Sequence, residues 1–319
     1  MCAPKSSELI SKIDQTKFKA LFKTKTSLHA SAMVFNWLII LSSILLYQYL
    51  SIPWLFPLVV IIIGARMHAL AILMHDATHF RFLKNKKWND MITNLFIMYP
   101  IFTTIEEYRA NHLKHHQHLN TEHDPDWVAK LTKREFHFPK TKSEFILTIL
   151  SYLVFYQGIL DAIWFAKRYK VKGKKGQSKS DVNTTKIGFY IALFGLLTIF
   201  GMWKFYLLFW VVPYITSFFM FQYIRSVAEH YGDMAYEDEL SSSRTVKPTL
   251  LERFFIAPHN VGFHLEHHLF PGVPFYNLPE LHNLLMEDDE YNRKAHITKG
   301  YLSGLLLELG HAKELGKVY

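Results

Sequence analysis

Two short stretches of this 319-residue sequence place histidines in one spacing: His112, His115 and His116 in NHLKHHQH, and His264, His267 and His268 in VGFHLEHHLFPG. A third stretch, HDATH, sets His75 and His79 four residues apart. Positions i, i+3 and i+4 of a helix share one face, so each stretch can aim imidazoles at a common point. An adjacent pair such as His115 and His116 diverges toward two points. Imidazole suits iron, zinc, copper or nickel, whereas magnesium and calcium take oxygen ligands. Eight imidazoles are too many for one ion and reasonable for two, so the two triplets read as two halves of a dinuclear cage.

Such a cage needs elements that bring distant stretches to one place. Half of the residues are hydrophobic and they are unevenly spread. Residues 31–50, SAMVFNWLIILSSILLYQYL, carry no charge over a membrane-spanning length of ~20 residues. A first span is expected at 28–50 and a second from Pro53 through LFPLVVIIIGA toward Met74, joined by the short Ser51-Ile52-Pro53 turn. IGFYIALFGLLTIFG (187–201) and WKFYLLFWVVPYITSFFMFQYI (203–224) form a second hairpin, turned around Gly201 and Lys204. The apolar run at 144–166 is different. If it crossed, the basic stretch KRYKVKGKKGQSK (167–179) would lie outside, against the positive-inside tendency, and the histidine triplets would lie on opposite faces. It is therefore expected as an interfacial or re-entrant helix, with Gln157 and Asp161 facing water or protein. NLFIMYPIF (94–102) is too short to span and reads as an in-plane dip.

The expected fold is thus an all-α, multi-pass integral membrane protein. It has four transmembrane helices in two hairpins, and a cytosolic helical cap holding the histidine cluster. The boundaries are a basic N-terminal segment at 1–27, the first hairpin at 28–74 and a cap segment with two histidine boxes at 75–186. The second hairpin follows at 187–224, and 225–319 supplies the third box. Both termini and every histidine box are expected on the cytoplasmic side. The net charge of +9 gathers beside apolar segments, which reads as membrane anchoring and not as a nucleic-acid surface. Cys2 is the only cysteine, so no intrachain disulfide is possible. The first apolar run starts late and is too long for the core of a cleavable signal.

HDATH, HLKHH and HLEHH, in this order and interleaved with two helical hairpins over residues 30–285, resemble the membrane-bound fatty acid desaturase superfamily, which includes carotenoid and alkane hydroxylases and ketolases. The resemblance implies a non-haem centre of two iron ions that uses O₂ and two electrons on an unactivated C–H bond. It implies metal ligands at His75, His79, His112, His115, His116, His264, His267 and His268, and one more between the second and third boxes. His230 in RSVAEHYG is the match. Asn260 in HNVGFH is the candidate for an asparagine that meets a metal through water. Carboxylates that orient ligating imidazoles are expected among Asp76, Glu229 and Glu266, each beside a ligand, and Asp124 and Asp126 after the second box. No separate catalytic acid or base is expected.

The three-residue spacer in HDATH points to an acyl chain on a lipid or other carrier over an acyl-CoA. The substrate implied is a long-chain fatty acyl lipid; hydroxylation or ketolation of a carotenoid or hydrocarbon is the alternative. A histidine-rich metal transporter would place ionisable ligands near the bilayer midplane, whereas these boxes gather at one end of the spans. Electrons must come from an external donor, and the basic surface suits an acidic ferredoxin or a b-type cytochrome. His68 stands two turns, ~10 Å, before His75 and reads as pocket-lining or hydrogen-bonding. His118 and His123 extend the second cluster, and His259 reads as lying near the ligands or at the surface. His29, His137, His282, His296 and His311 are given no site role. Arg66 implies a second helix that projects beyond the bilayer, while Arg109 and Arg225 read as structural ion pairs. The segment after 278 reads as helices closing the cap.

Overall fold

A computed structural model of the chain describes residues 5–168 and 180–310. Cys2, most of the basic stretch at 167–179 and His311 fall outside the described residues. Helix α1, Thr26–Leu50, and helix α2, Phe56–Thr78, form the first hairpin. Ser51 ends α1 in a left-handed conformation and Pro53 opens a short 3₁₀ turn before α2, a site where a missing backbone N–H costs nothing. The two members differ in burial. α1 turns Leu38, Leu45 and Tyr49 outward, whereas α2 is buried almost without break from Ile63 to Thr78. α2 is thus the central post of the molecule.

Residues 94–102 fold as one π turn, Asn94–Met98, followed by a reversal at Phe102, with Ile97, Met98 and Tyr99 buried. Helix α3, Ile105–Gln117, then begins with the Thr104 side chain accepting from the Glu107 backbone N–H, and Glu106 and Glu107 lie in its first turn. The apolar run at 144–166 is broken into α4, Lys142–Leu153, and α5, Tyr156–Arg168, bent by 76° around Phe155. Asp161 faces protein: it is buried 2.5 Å from Lys133 Nζ and accepts from Tyr152 Oη at 2.7 Å.

Helix α6, Ser180–Ile199, turns at Gly201, whose φ of +64° is open to glycine. It leads into α7, Trp203–His230. Two π turns, Leu207–Val211 and Tyr214–Phe218, flank Pro213 in α7 and absorb the amide that proline lacks. Among the described residues, three helices are long and apolar enough to cross a membrane: α1, Pro53–Thr78 and α7, with the bent α4–α5 pair as a fourth if taken as one span. The segment expected as the third crossing, 187–201, lies in α6, whose apolar stretch Thr184–Ile199 is shorter than those three.

The cap departs from the all-α expectation. Strand β1, Thr245–Lys247, pairs in parallel with β2, Ile297–Lys299. Strands of three residues are too short to show a period of two, so no sequence pattern announces them. Helix α8, His264–Leu269, and helix α9, Leu278–Leu285, bury Leu265, Leu281 and Leu285 against Leu9, Phe18 and Leu21 of the N-terminal segment. The chain's start is therefore packed onto the element that carries the third histidine box.

Candidate metal centre

Four helix ends meet at the histidines. His75 lies in the last turn of α2 and His79 just past it; His112, His115 and His116 lie on α3. His230 is the last residue of α7, and His264, His267 and His268 lie on α8. All nine are brought together in two groups. His75, His79, His112, His116 and His267 form one, and His115, His230, His264 and His268 form the other, with ligand atoms within 4.8 Å of one another in each. The triplets are not the two halves of the cage, as their spacing alone implied. Each is split: His115 and His116 diverge to different groups, and His267 leaves His264 and His268. The helical divergence of neighbouring residues accounts for this, because α3 and α8 both run between the groups.

The geometry fits metal ions. Nε2 atoms face one another at 3.0 Å for His79–His112, 2.9 Å for His112–His116 and 3.0 Å for His116–His267. In the second group the separations are 2.8 Å for His230–His264 and 3.0 Å for His264–His268. A neutral imidazole has one N–H, so it cannot satisfy two neighbours through the same Nε2, and His75 Nε2 is buried with no hydrogen-bond partner. A cation between converging lone pairs resolves the conflict. Ligands ~2.1 Å from an ion and at right angles stand ~3 Å apart, whereas tetrahedral ligands would stand farther apart. Five nitrogens at such spacing exceed tetrahedral zinc and suit a five- or six-coordinate ion.

Electrostatics keep the imidazoles ready. Burial, and then neighbouring imidazoles, hold His112, His267 and His268 well below the usual range, and His116 at about 2. His264 is likewise held well below by burial, then by His230 and Arg225. Burial, with Arg81 and Arg109 nearby, holds His79 at about 4. These histidines are neutral at pH 7, the form that binds metal.

Among the described residues, two of the five expected orienting carboxylates lie beside an imidazole of the cluster. Asp124 Oδ2 accepts from His115 Nδ1 at 2.7 Å, which turns Nε2 toward the group. Glu229 Oε1 stands 3.4 Å from His264 Nδ1 and also pairs with Arg225 at 3.0 Å. Glu266 points the other way, accepting from Thr245 and Tyr291 and contacting His282 Nδ1, so it fixes α8 from behind. Asp76 accepts from the Phe275 backbone N–H at 3.2 Å, and Asn260 donates to the Phe275 carbonyl at 3.1 Å. Both thereby hold the loop after the third box. Asp126 pairs with Lys130 at 2.6 Å.

The remaining described histidines lie outside the two groups. His29 contacts the Leu73 carbonyl and His68 the Ile256 carbonyl, both at 2.9 Å. His118 caps α3 and meets the exposed His123 edge to face. His259 lies near the ligands, as expected, lining a small pocket with His75, His264 and His267. It contacts Asn36, which accepts from Arg66, and Arg66 in turn bonds the Phe254 carbonyl and lies 4.0 Å over its ring. Arg66 is thus paid for inside the protein, not by projecting into water. Arg109 pairs with Asp90 at 2.6 Å.

A cavity of about 210 Å³ opens onto His112, His115, His230 and His264. It follows one face of α7 through Glu229, Ser226, Gln222, Phe218 and Tyr214, with Ala71, Met74, Met98 and Ile101 opposite. From His230 to Tyr214 is ~24 Å of helix. Sequence reasoning missed this pocket because its apolar lining looks like any lipid-facing or packed helix.

Residues 52–300 match the sequence family described as fatty acid desaturase. A dihydrorhizobitoxine desaturase of Bradyrhizobium elkanii is 32% identical over 251 residues, covering 76% of this chain and 71% of that one. The chain belongs to the fatty acid desaturase family. An sn-1 oleoyl-lipid 12-desaturase of Anabaena variabilis is 24% identical, covering 74% of this chain and 70% of the relative. An sn-1 acyl-lipid omega-3 desaturase (ferredoxin) of Nostoc sp. (strain 36) is 26% identical, covering 72% and 67%. The protein is a desaturase-type oxidoreductase with apolar helices suited to a membrane and histidine clusters able to bind metal.

Proposed function

We propose that this desaturase introduces a double bond into a long-chain fatty acyl lipid, with two iron ions held by the nine histidines. The observation that carries the reading is the elongated, largely apolar cavity that ends on both histidine groups. Iron with O₂ supplies the oxidising power for an unactivated C–H bond. The chain's residues do the rest: Phe218, Phe219, Met98 and Ile101 align an alkyl chain along α7, and burial keeps bulk water from the centre. Electrons come from an external donor, a ferredoxin or a b-type cytochrome; the Nostoc relative is named for ferredoxin.

Parity supports four crossings with a cytoplasmic centre. His115 and His230 meet in space, with ring centroids 4.9 Å apart, so an even number of crossings separates them. α7 crosses once, so one more segment must. α6, 20 residues and ~30 Å long, fits, while α4–α5 is bent by 76° with a buried ion pair. The lysine-bearing N-terminal segment packs on α8 and α9, and the positive-inside tendency supports a cytoplasmic side for that segment and the centre.

The test is lipid and pigment profiling by mass spectrometry in cells expressing wild type or His267→Ala, supplied with saturated acyl lipids, carotenoids and a reducing partner. Acyl chains two mass units lighter, absent in the variant, are expected. Products sixteen units heavier would make the protein a hydroxylase. No difference, with iron-loaded protein and a competent donor, would overturn both.

A further inference from the structure

His115 is aimed by Asp124, and Glu229 Oε1 stands 3.4 Å from His264 Nδ1, but His230 Nδ1 is buried with no hydrogen-bond partner among the described residues. The orientation of His230 therefore depends on its backbone, and it sits on the last residue of α7, where carbonyls lose their helical partners. Those carbonyls are all met from one short segment. Arg244 Nη1 donates to the Ala228 carbonyl at 2.7 Å and to the Tyr231 carbonyl at 3.0 Å. The Arg244 backbone N–H donates to the Glu229 carbonyl at 3.1 Å, and Tyr236 Oη donates to the His230 carbonyl at 3.1 Å. Four consecutive carbonyls, 228 to 231, are capped.

We propose that Arg244 is a positioning residue for the second metal site, holding the end of α7 so that His230 completes the group with His115, His264 and His268. The proposal rests on the two-ion reading above. Arg244 is fully buried, a position a guanidinium occupies only when its donors are matched. Its partner comes from the C-terminal segment: Glu308 Oε2 lies 2.7 Å from Nη2, and His296 and Thr298 hold the same carboxylate. The next residue, Thr245, donates to Glu266 at 2.6 Å and so ties the same strand to α8, which carries the other ligands. The cation also complements the negative end of the helix. The C-terminal segment, which has no chemistry of its own, thereby sets a ligand about 75 residues before it in the chain.

The experiment measures iron per chain, and iron retention against a graded chelator, in the full-length protein. Wild type, His230→Ala, Arg244→Lys, Tyr236→Phe and Glu308→Gln are compared, with helical circular dichroism as the fold control. Lysine keeps the charge but has one nitrogen in place of the guanidinium fork, so it cannot hold the two carbonyls and Glu308 in the same geometry. Expected are two irons in wild type and selective weakening of one in Arg244→Lys, Tyr236→Phe and Glu308→Gln. That weakening is about ten-fold or more in the first two, with the other iron held as in wild type. Combining His230→Ala with Arg244→Lys should weaken that site no further than His230→Ala alone. Both irons kept at wild-type strength, both lost together, or additive losses in the double variant would overturn the proposal. If Arg244→Lys does not fold, Tyr236→Phe and Glu308→Gln are judged by the same outcomes. Fewer than two irons in wild type would overturn the two-ion reading itself, and the proposal with it.

Discussion

His115 and His116 are neighbours that serve different groups, and what distinguishes them is a single carboxylate. Asp124 accepts from His115 Nδ1 and also from the backbone N–H groups of Asp126 and Trp127, so it orients a ligand and caps the helix Pro125–Leu131 at once. Asp124→Asn keeps an effective cap but loses the charge. It is expected to leave thermal stability nearly unchanged and lower iron affinity about ten-fold or more at one site, read by chelator competition. Asp124→Ala should lower both, the cap alone by about 1 kcal/mol; equal thermal stability in the two variants would contradict this division. Protonation gives a second test. His79 lies at about 4 and His116 at about 2 in the fold, against 6.5 for a free imidazole. Below pH 6.5 the unfolded chain binds protons that the folded, metal-free centre refuses, so stability falls as pH falls through that window and these groups add nothing above it. The melting temperature of the metal-free protein is expected to drop between pH 6.5 and 4, and to drop less in His116→Ala.

The bent α4–α5 pair walls one side of the cavity with Tyr152, Asp161, Trp164 and Phe165. It reaches α7 through Gly158. A Cβ built there would stand 1.6 Å from the Ile215 carbonyl oxygen, in the π turn of α7. Gly158→Ala must push the pair away, at a cost of about 1–3 kcal/mol, and is expected to cut turnover well below wild type while both irons stay bound. Gly188→Ala, in α6, meets nothing within 4 Å and should leave turnover unchanged; comparable loss in both variants would remove the packing argument. What the sequence made visible, and what it hid, divides at this level. The spacing H-x-x-H-H implied convergent imidazoles, and charge and histidine placement set 144–166 apart as an interfacial or re-entrant segment, though not its 76° bend. The pocket did not follow, because Phe218 and Met98 have the composition of packing residues. Nor did Arg244, since nothing local distinguishes a capping arginine 14 residues past a ligand from a surface one.

In the proposed topology, membrane hairpins bring together stretches about 150 residues apart, from His112 to His264. With Cys2 replaced by serine, single cysteines at Ser51 and Met202, in the two hairpin turns, should be labelled by a membrane-impermeant thiol reagent from one side only. A cysteine at exposed Lys114 should be labelled from the other. Labelling of Ser51Cys and Met202Cys from opposite sides would break the parity argument. The measurement closest to the chemistry is the iron content and Mössbauer spectrum of the purified wild-type protein after loading with ⁵⁷Fe. Five nitrogens in one group and four in the other should give two irons per chain in two resolved environments of equal area. One iron per chain, or tight zinc that iron does not displace, would contradict a two-iron desaturase centre.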